Sequence, residues 1–279
     1  MSNSKIPQSL SHVAKCKQFA RLHNEAAFLI PNPWDAESAR MLQGPGFKAL
    51  ATTSSGLAYT LGRNDGEVTL DEKLDHCTAL AAITDIPINA DLEDGFSKKT
   101  SEVAINLNKL IKTGMAGCSI EDYNREKKEL YSFETAASRI EAAAEVVAAA
   151  NMPFQLTARA ENLLRGVNDI DDTIKRLQAY SAAGANVLYA PGINSLEKLK
   201  LVTDAIDKPF NVLAPFLGSA SVAEMAEAGA QRTSVGDALN WISVSPLIRA
   251  GKEMLEKGTF NWLGEMAPGA EVKRLLSRV

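Results

Sequence analysis

The sequence predicts an α/β protein, a single (β/α)8 barrel of the TIM type, and three observations carry that expectation. Short apolar runs alternate with longer amphipathic segments about eight times, at a spacing of roughly 30 residues, as repeated strand–helix units do. Several amphipathic segments end in glycine just ahead of the next apolar run, at Gly114, Gly184 and Gly229, where a left-handed C-cap would close a helix. No glycine-rich phosphate loop opens a helix after the first apolar run, which argues against a doubly wound open sheet. The 279 residues suit one barrel domain spanning 1–279, with an N-terminal helix within 1–25 and a C-terminal extension over about 259–279.

The elements follow in chain order. The first helix rests on Val13, Cys16, Phe19, Ala20 and Leu22, which fall near one face of a helical period. "AAFLIPNPWD" reads as the first strand and a polar loop, with a helix through "AESARMLQ". "FKALATTSS" is the second strand, and Gly56 follows it. Thr69 as N-cap and Glu72 three residues later form a capping box that opens the helix "TLDEKLDHCTALAAITD". "PINAD", a helix over about 102–112, "GCSIED", an alanine-rich helix over about 135–150 and "FQLTARAE" come next. "DIDDTIKRLQAYSAAG" leads to "NVLYAPG", "SLEKLKLVTDAI" to "PFNVLAP", and "SVAEMAEAG" to "RTSVG", before a helix from Asp237. Beyond Gly258, the apolar Phe260, Trp262 and Leu263 need a surface to cover. That need predicts a C-terminal helix swapped between subunits.

Composition narrows the function classes. Hydrophobic content of 46% and charged content of 23% describe a globular chain with a sizeable core. A net charge of −4 gives no long-range pull toward polyanions, so nucleic acid and acidic membranes are not expected partners. No apolar run approaches the roughly 20 residues of a membrane span. Cys16, Cys77 and Cys118 are an odd number without metal-type spacing, which points to reduced thiols and a cytoplasmic setting. Lys5, Lys15, Lys17 and Arg21 precede the first acid, Glu25, as in a transit peptide, but an amphipathic helix accounts for them better.

In such a barrel, chemistry sits at the carboxyl ends of the strands. There "NADLEDGFS", residues 89–97, packs Asp91, Glu93 and Asp94 into four positions behind an apolar run. Like charges that close repel, and burying them is costly without a counter-charge. A solvated turn is the plain reading, and a divalent cation the sharper one. Neighbouring strand ends add Thr53, Ser54, Ser55 and Gly56, then Asp65 in the loop beyond. Others add Glu121 with Asp122, Arg159 with Glu161, and Tyr189 and Asn211. Hard oxygen donors with waters completing an octahedron suit Mg2+, with Mn2+ as its substitute, whereas zinc would want His or Cys. His12, His23 and His76 fall on predicted helices and are expected at the surface or an interface. Cys118 is expected to be packing rather than nucleophile, and Lys98 and Lys99 to be solvated.

"TTSSGLA", "ADLEDGF", "AGCSIED" and "TARAEN", in that order and spacing, resemble the phosphoenolpyruvate mutase/isocitrate lyase superfamily. The likeness runs from "AAFLIPNPWDAESAR" to "TSVGDAL", and its pattern is that of the small phosphonomutase-like or 2-methylisocitrate lyase-like members. The resemblance implies a barrel with its last helix swapped in a homodimer or homotetramer. It also implies Mg2+ and small 2-oxo or 2-hydroxy acids that pass through a pyruvate enolate or related oxyanion. Carried over by motif, Ser55, Gly56 and Leu57 would hold a pyruvate-like carboxylate and oxygen. Asp91 would ligate Mg2+ directly, while Asp65, Glu93 and Glu121 would hold its waters. Arg159 would contact the substrate carboxylate, so Arg159, Glu121 and Asp65 are the catalytic candidates.

Two departures shape the expected activity. Glu93 stands where the family usually has an aspartate, one methylene shorter. "SIEDYNREKKELYS" lacks the Lys-x-Cys-Gly-His loop of the isocitrate and 2-methylisocitrate lyases, and Tyr123 replaces the lysine that follows "ED" in the mutases. The expectation is a carbon–carbon lyase, with decarboxylation asking least of the altered loop. Phosphonopyruvate-type C–P chemistry and a non-catalytic binder of carboxylate metabolites are the alternatives.

Overall fold

A computed structural model describes residues 10–277, and at its centre eight parallel strands curve into a nearly closed barrel. They are β1 (Phe28–Ile30), β2 (Leu50–Ala51), β3 (Ile88–Asp91) and β4 (Gly117–Glu121), then β7 (Gln155–Arg159), β8 (Val187–Tyr189), β9 (Phe210–Leu213) and β10 (Ala230–Ser234). Between β4 and β7 a small antiparallel hairpin is formed by β5 (Tyr123–Asn124) and β6 (Glu129–Leu130). The sheet order is β1-β10-β9-β8-β7-β4-β3-β2, so the chain circles the barrel in sequence. At the seam between β1 and β2, the Ala51 N–H donates to the Pro31 carbonyl at 3.0 Å and Asn32 Nδ2 to the Thr52 carbonyl at 3.3 Å.

Short strands of wholly buried residues, such as Val187–Tyr189 and Gly117–Glu121, suit a parallel sheet covered on both faces. The covering helices are α1 (His12–Leu22), α2 (Ala36–Gln43), α3 (Ser54–Thr60), α4 (Leu70–Ile83), α5 (Thr100–Ile111) and α6 (Phe133–Ala149). They continue with α7 (Ile170–Ala182), α8 (Leu196–Asp204), α9 (Val222–Glu227), α10 (Ala238–Lys257) and α11 (Gly269–Leu276). The Thr69–Glu72 capping box opens α4 as expected. Gly114, Gly184 and Gly229 each take a positive φ, of 95°, 103° and 94°, where an L side chain would be strained. Gly117 serves a different need, since a Cβ there would lie 2.6 Å from the Gln155 carbonyl and 2.8 Å from the Phe19 ring.

Several expectations need correction. The second strand is short: β2 ends at Ala51, and Ser54, Ser55 and Gly56 begin α3 instead of a loop. Thr53 causes the switch, because its hydroxyl caps the new helix by accepting the Gly56 N–H at 3.3 Å. The α1 face also differs, and the part of the 1–25 expectation before residue 10 lies outside the described residues. Lys15, Cys16, Phe19 and Leu22 are buried, whereas Val13 is 41% exposed. Lys15 is tolerated because its ammonium donates to the Ala81 and Thr84 carbonyls at the end of α4, at 3.0 and 2.6 Å. His23 is not at the surface but buried, edge-on to Phe19 and Phe28.

The end of the chain leaves much apolar surface. Trp241, Ile242, Leu247, Ile248 and Leu255 of α10 are exposed, as are Phe260 and Leu263 beyond it. In this single chain α11 returns to α2, with Leu275 seated against Gly44. Cys16, Cys77 and Cys118 are free and buried. Burial pushes the Cys16 and Cys77 thiols up to about 11 and about 12, and Cys118 higher still. Among the described residues no helix is long and apolar enough to cross a membrane.

Candidate active site

The strand registers line up one ring of side chains at the carboxyl rim. Glu121 of β4 lies opposite Arg159 of β7, Arg159 opposite Tyr189 of β8, and Tyr189 opposite Asn211 of β9. The next strand round, β3, brings Asp91 to the same end, opposite Ser119. Beneath this rim lies a cavity of about 320 Å³, reached by Ser54, Ser55, Asp65, Asp91, Arg125 and Arg159.

The acidic turn after β3 sorts its three carboxylates. Glu93 sits at φ 53°, a left-handed conformation unusual for glutamate, and its carbonyl accepts the Glu121 N–H at 2.9 Å. The turn is thereby tied to β4, with Asp91 and Glu93 directed at the barrel rim. Asp94 turns away, accepting the Phe96 N–H at 3.1 Å and the Tyr131 hydroxyl at 3.0 Å. Asp91 accepts the Ser54 and Glu93 N–H groups, both at 3.3 Å. Asp122 is scaffolding: it accepts Tyr180 Oη at 2.6 Å, Arg176 Nη1 at 3.0 Å and the Glu161 N–H at 2.8 Å.

Three arginines meet the rim acids. Arg159 binds Glu161 closely and stands 3.5 Å from Glu121 and 4.0 Å from Asp91. Arg165 pairs with Glu161 at 2.8 Å and stacks 3.8 Å over the Tyr123 ring. Arg125, carried between β5 and β6, reaches Glu93 at 3.1 Å, and Asp65 and Glu121 at 3.2 Å. Glu93 and Glu121 therefore stand behind Arg125 and Arg159 rather than on the open cavity wall. Gly56 and Leu57 are also set back: their N–H groups are used by the Thr53 hydroxyl and carbonyl, and Leu57 packs with Ala58 and Val68.

Electrostatics distinguish the acids. Burial alone would raise the Asp91 carboxyl, but Arg159, Lys73 and Arg125 together hold it below the ordinary value. Burial pushes Glu93 up to about 7, against the pull of Arg125 and Lys73. Burial and the neighbouring Glu161 push Glu121 upward as well. Lys73 of α4 is fully buried, and its ammonium has no hydrogen-bond partner among the described residues. Arg232 of β10 is a buried cation of the cavity wall, held by the uncharged Asn211, Thr157 and His23.

Sequence reasoning did not find Arg125, Arg165, Lys73 or Arg232. The only signal for Arg125 was an arginine among lysines four residues after Glu121. Among the described residues no three His, Cys, Asp or Glu side chains lie close enough together to enclose an ion by themselves. Yet the donor set is of hard oxygens, and Glu93 Oε1 and Glu121 Oε2 are buried and make no hydrogen bond among the described residues, although Arg159 Nη1 lies 3.5 Å from the latter. With Asp91 they fit an ion that keeps most of its waters, as Mg2+ does.

The chain is similar to known proteins over most of its length. The model of a family described as Phosphoenolpyruvate phosphomutase matches residues 19–255. A solved structure from Burkholderia cenocepacia J2315, with a provisional lyase/mutase assignment, is 41% identical with a TM-score of 0.91, covering 95% of this chain and 96% of that one. The 2-methylisocitrate lyase of Escherichia coli (strain K12) is 32% identical over 199 residues, 68% of this chain and 66% of its own. The oxaloacetate decarboxylase of Paraburkholderia xenovorans (strain LB400) is 28% identical over 197 residues, 67% of this chain and 64% of its own.

Proposed function

The chain belongs to the phosphoenolpyruvate phosphomutase family, and on that premise we propose that it is a Mg2+-dependent carbon–carbon lyase. Its substrate is a small 2-oxo or 2-hydroxy acid, cleaved through a pyruvate-enolate-like oxyanion. The observation that carries this reading is the gathering of Asp91, Glu93, Glu121 and Arg159 at one rim, with Asp91 held ionised by surrounding cations.

Asp91 would hold the ion, and Glu93 Oε1 and Glu121 Oε2, which make no hydrogen bond among the described residues, would accept from its waters. Bound Mg2+ supplies Lewis-acid polarisation of a 2-oxo group. The chain's own residues do the rest. Arg159 and Ser55 line the cavity and would orient a substrate carboxylate. Arg232, a buried charge without a carboxylate partner among the described residues, makes the cavity attractive to anions. Charge developing on the oxygen as the bond breaks meets these fixed cations without reorganisation, usually the largest catalytic contribution.

Decarboxylation of an oxaloacetate-like acid suits the loop that follows Asp122. Retro-aldol cleavage needs a base for the substrate hydroxyl, and the β5–β6 hairpin offers neither Cys nor His. Cys118 is sealed in the core. The test is pyruvate release by purified protein with Mg2+, from oxaloacetate and from 2-methylisocitrate. Arg159→Met is expected to lower turnover by roughly 10²- to 10³-fold. Release from neither substrate, with phosphonopyruvate consumed, would replace this reading with C–P chemistry. Tight oxalate binding with no turnover of any of the three would make the protein a carboxylate binder.

A further inference from the structure

We infer that Arg125 is a tethered cation competing with a divalent ion for the rim carboxylates, so that the β5–β6 hairpin sets this chain's affinity for metal. The inference rests on the metal reading above. A single guanidinium gathers three carboxylates from three separate segments: Asp65 from the loop after α3, Glu93 after β3 and Glu121 at the end of β4. These are the same acids assigned to the ion's waters. An N–H donor about 3 Å from a carboxylate oxygen fills the position that a bound water would need. A dication brought to the same oxygens also meets a like charge, so the two occupants oppose each other.

The backbone ladder that carries Arg125 is short. The hairpin ladder comprises two residue pairs, Tyr123 with Leu130 and Asn124 with Glu129. Its turn passes through Lys128 at φ 56°, and its tip is tied to the acidic turn by an exposed Lys98–Glu126 pair at 2.6 Å. Exposed pairs of that kind add little stability. Arg159, by contrast, belongs to a central strand and cannot leave without disturbing the barrel. Beside the two oxygens that Arg125 holds, Glu93 Oε1 and Glu121 Oε2 are buried and make no hydrogen bond among the described residues, Glu121 Oε2 facing only Arg159 Nη1 at 3.5 Å. Withdrawal of Arg125 therefore frees acceptors on both side chains.

Titration of metal-stripped full-length protein with Mn2+, reading free ion by electron paramagnetic resonance, tests the competition without any substrate. Arg125→Gln is expected to bind Mn2+ about tenfold more tightly than wild type, and Arg125→Lys to stay near wild type. Thermal melting of each variant reports whether it folds. If Arg125→Gln does not fold, Lys98→Ala frees the hairpin tip while leaving every carboxylate in place. It is expected to tighten binding roughly two- to threefold, and unchanged or weaker binding there would count against the inference. Equal or weaker binding by a folded Arg125→Gln, at a site that wild type does fill, overturns the competition and leaves the metal reading intact. No Mn2+ on either protein overturns both.

Discussion

His23 is neutral in the folded protein because both of its ring nitrogens are committed. Nδ1 donates to the Phe19 carbonyl at 2.8 Å, which leaves Nε2 to accept from Arg232 Nη1 at 3.3 Å. Burial, then the Arg232 charge, push its pKa down to about 3, and burial with Lys73 nearby pushes His76 to about 4. The unfolded chain takes up protons near the ordinary histidine value, about 6.5, while the folded chain does not. Stability from these groups is therefore complete above that value and is lost as pH falls toward 4 and then 3. The raised Glu93 and Glu121 carboxyls act in the opposite sense over the same range, so the test is a difference. The denaturant midpoint of wild type should fall relative to that of His23→Gln between pH 7 and 4, and a difference that does not change with pH would refute the assignment. Asp91 and Arg159 were legible in the sequence because each directly ends an apolar run. Arg125 and Arg232 were not, since one depends on how a charged loop folds back and the other sits inside a strand.

Among the elements, β4 shows how tightly the rim depends on the opposite end of the barrel. A methyl group on Gly117 would strike the Gln155 carbonyl of β7 and the Phe19 ring of α1, and neither can retreat without breaking a strand pair or unseating the helix. Gly117→Ala should cost about 1–3 kcal/mol in urea unfolding, and a loss below the error of the measurement would contradict this close approach. Helix starts were readable where a side chain defines them, as at Thr69. The α3 helix was missed because "TTSSG" is as compatible with a strand end as with an N-cap, and the Thr53 hydroxyl decides between them only through a tertiary setting. The hairpin after Asp122 was equally hidden, because its ladder is only two residue pairs long and contacts such as Arg125 with Glu121 arise only in the folded barrel.

For the molecule as a whole, the repeat of apolar run and amphipathic helix was enough to give the barrel, because each unit must bury one face against the next. The far end of the chain follows no such rule. Trp241, Leu247 and Leu255 remain open to solvent, with Leu255 at 87% exposure, an apolar surface that α11 does not cover. We expect a homodimer or homotetramer built on that surface. Sedimentation at micromolar concentration should show it, and a monomer there, unchanged in Leu255→Glu, would remove the expectation. The sealed thiols have a practical side. With Cys16, Cys77 and Cys118 all in the core, a cysteine introduced at Lys127 would be the one site open to a maleimide fluorophore, so the natural chain could be labelled for distance spectroscopy without first stripping its own sulfur.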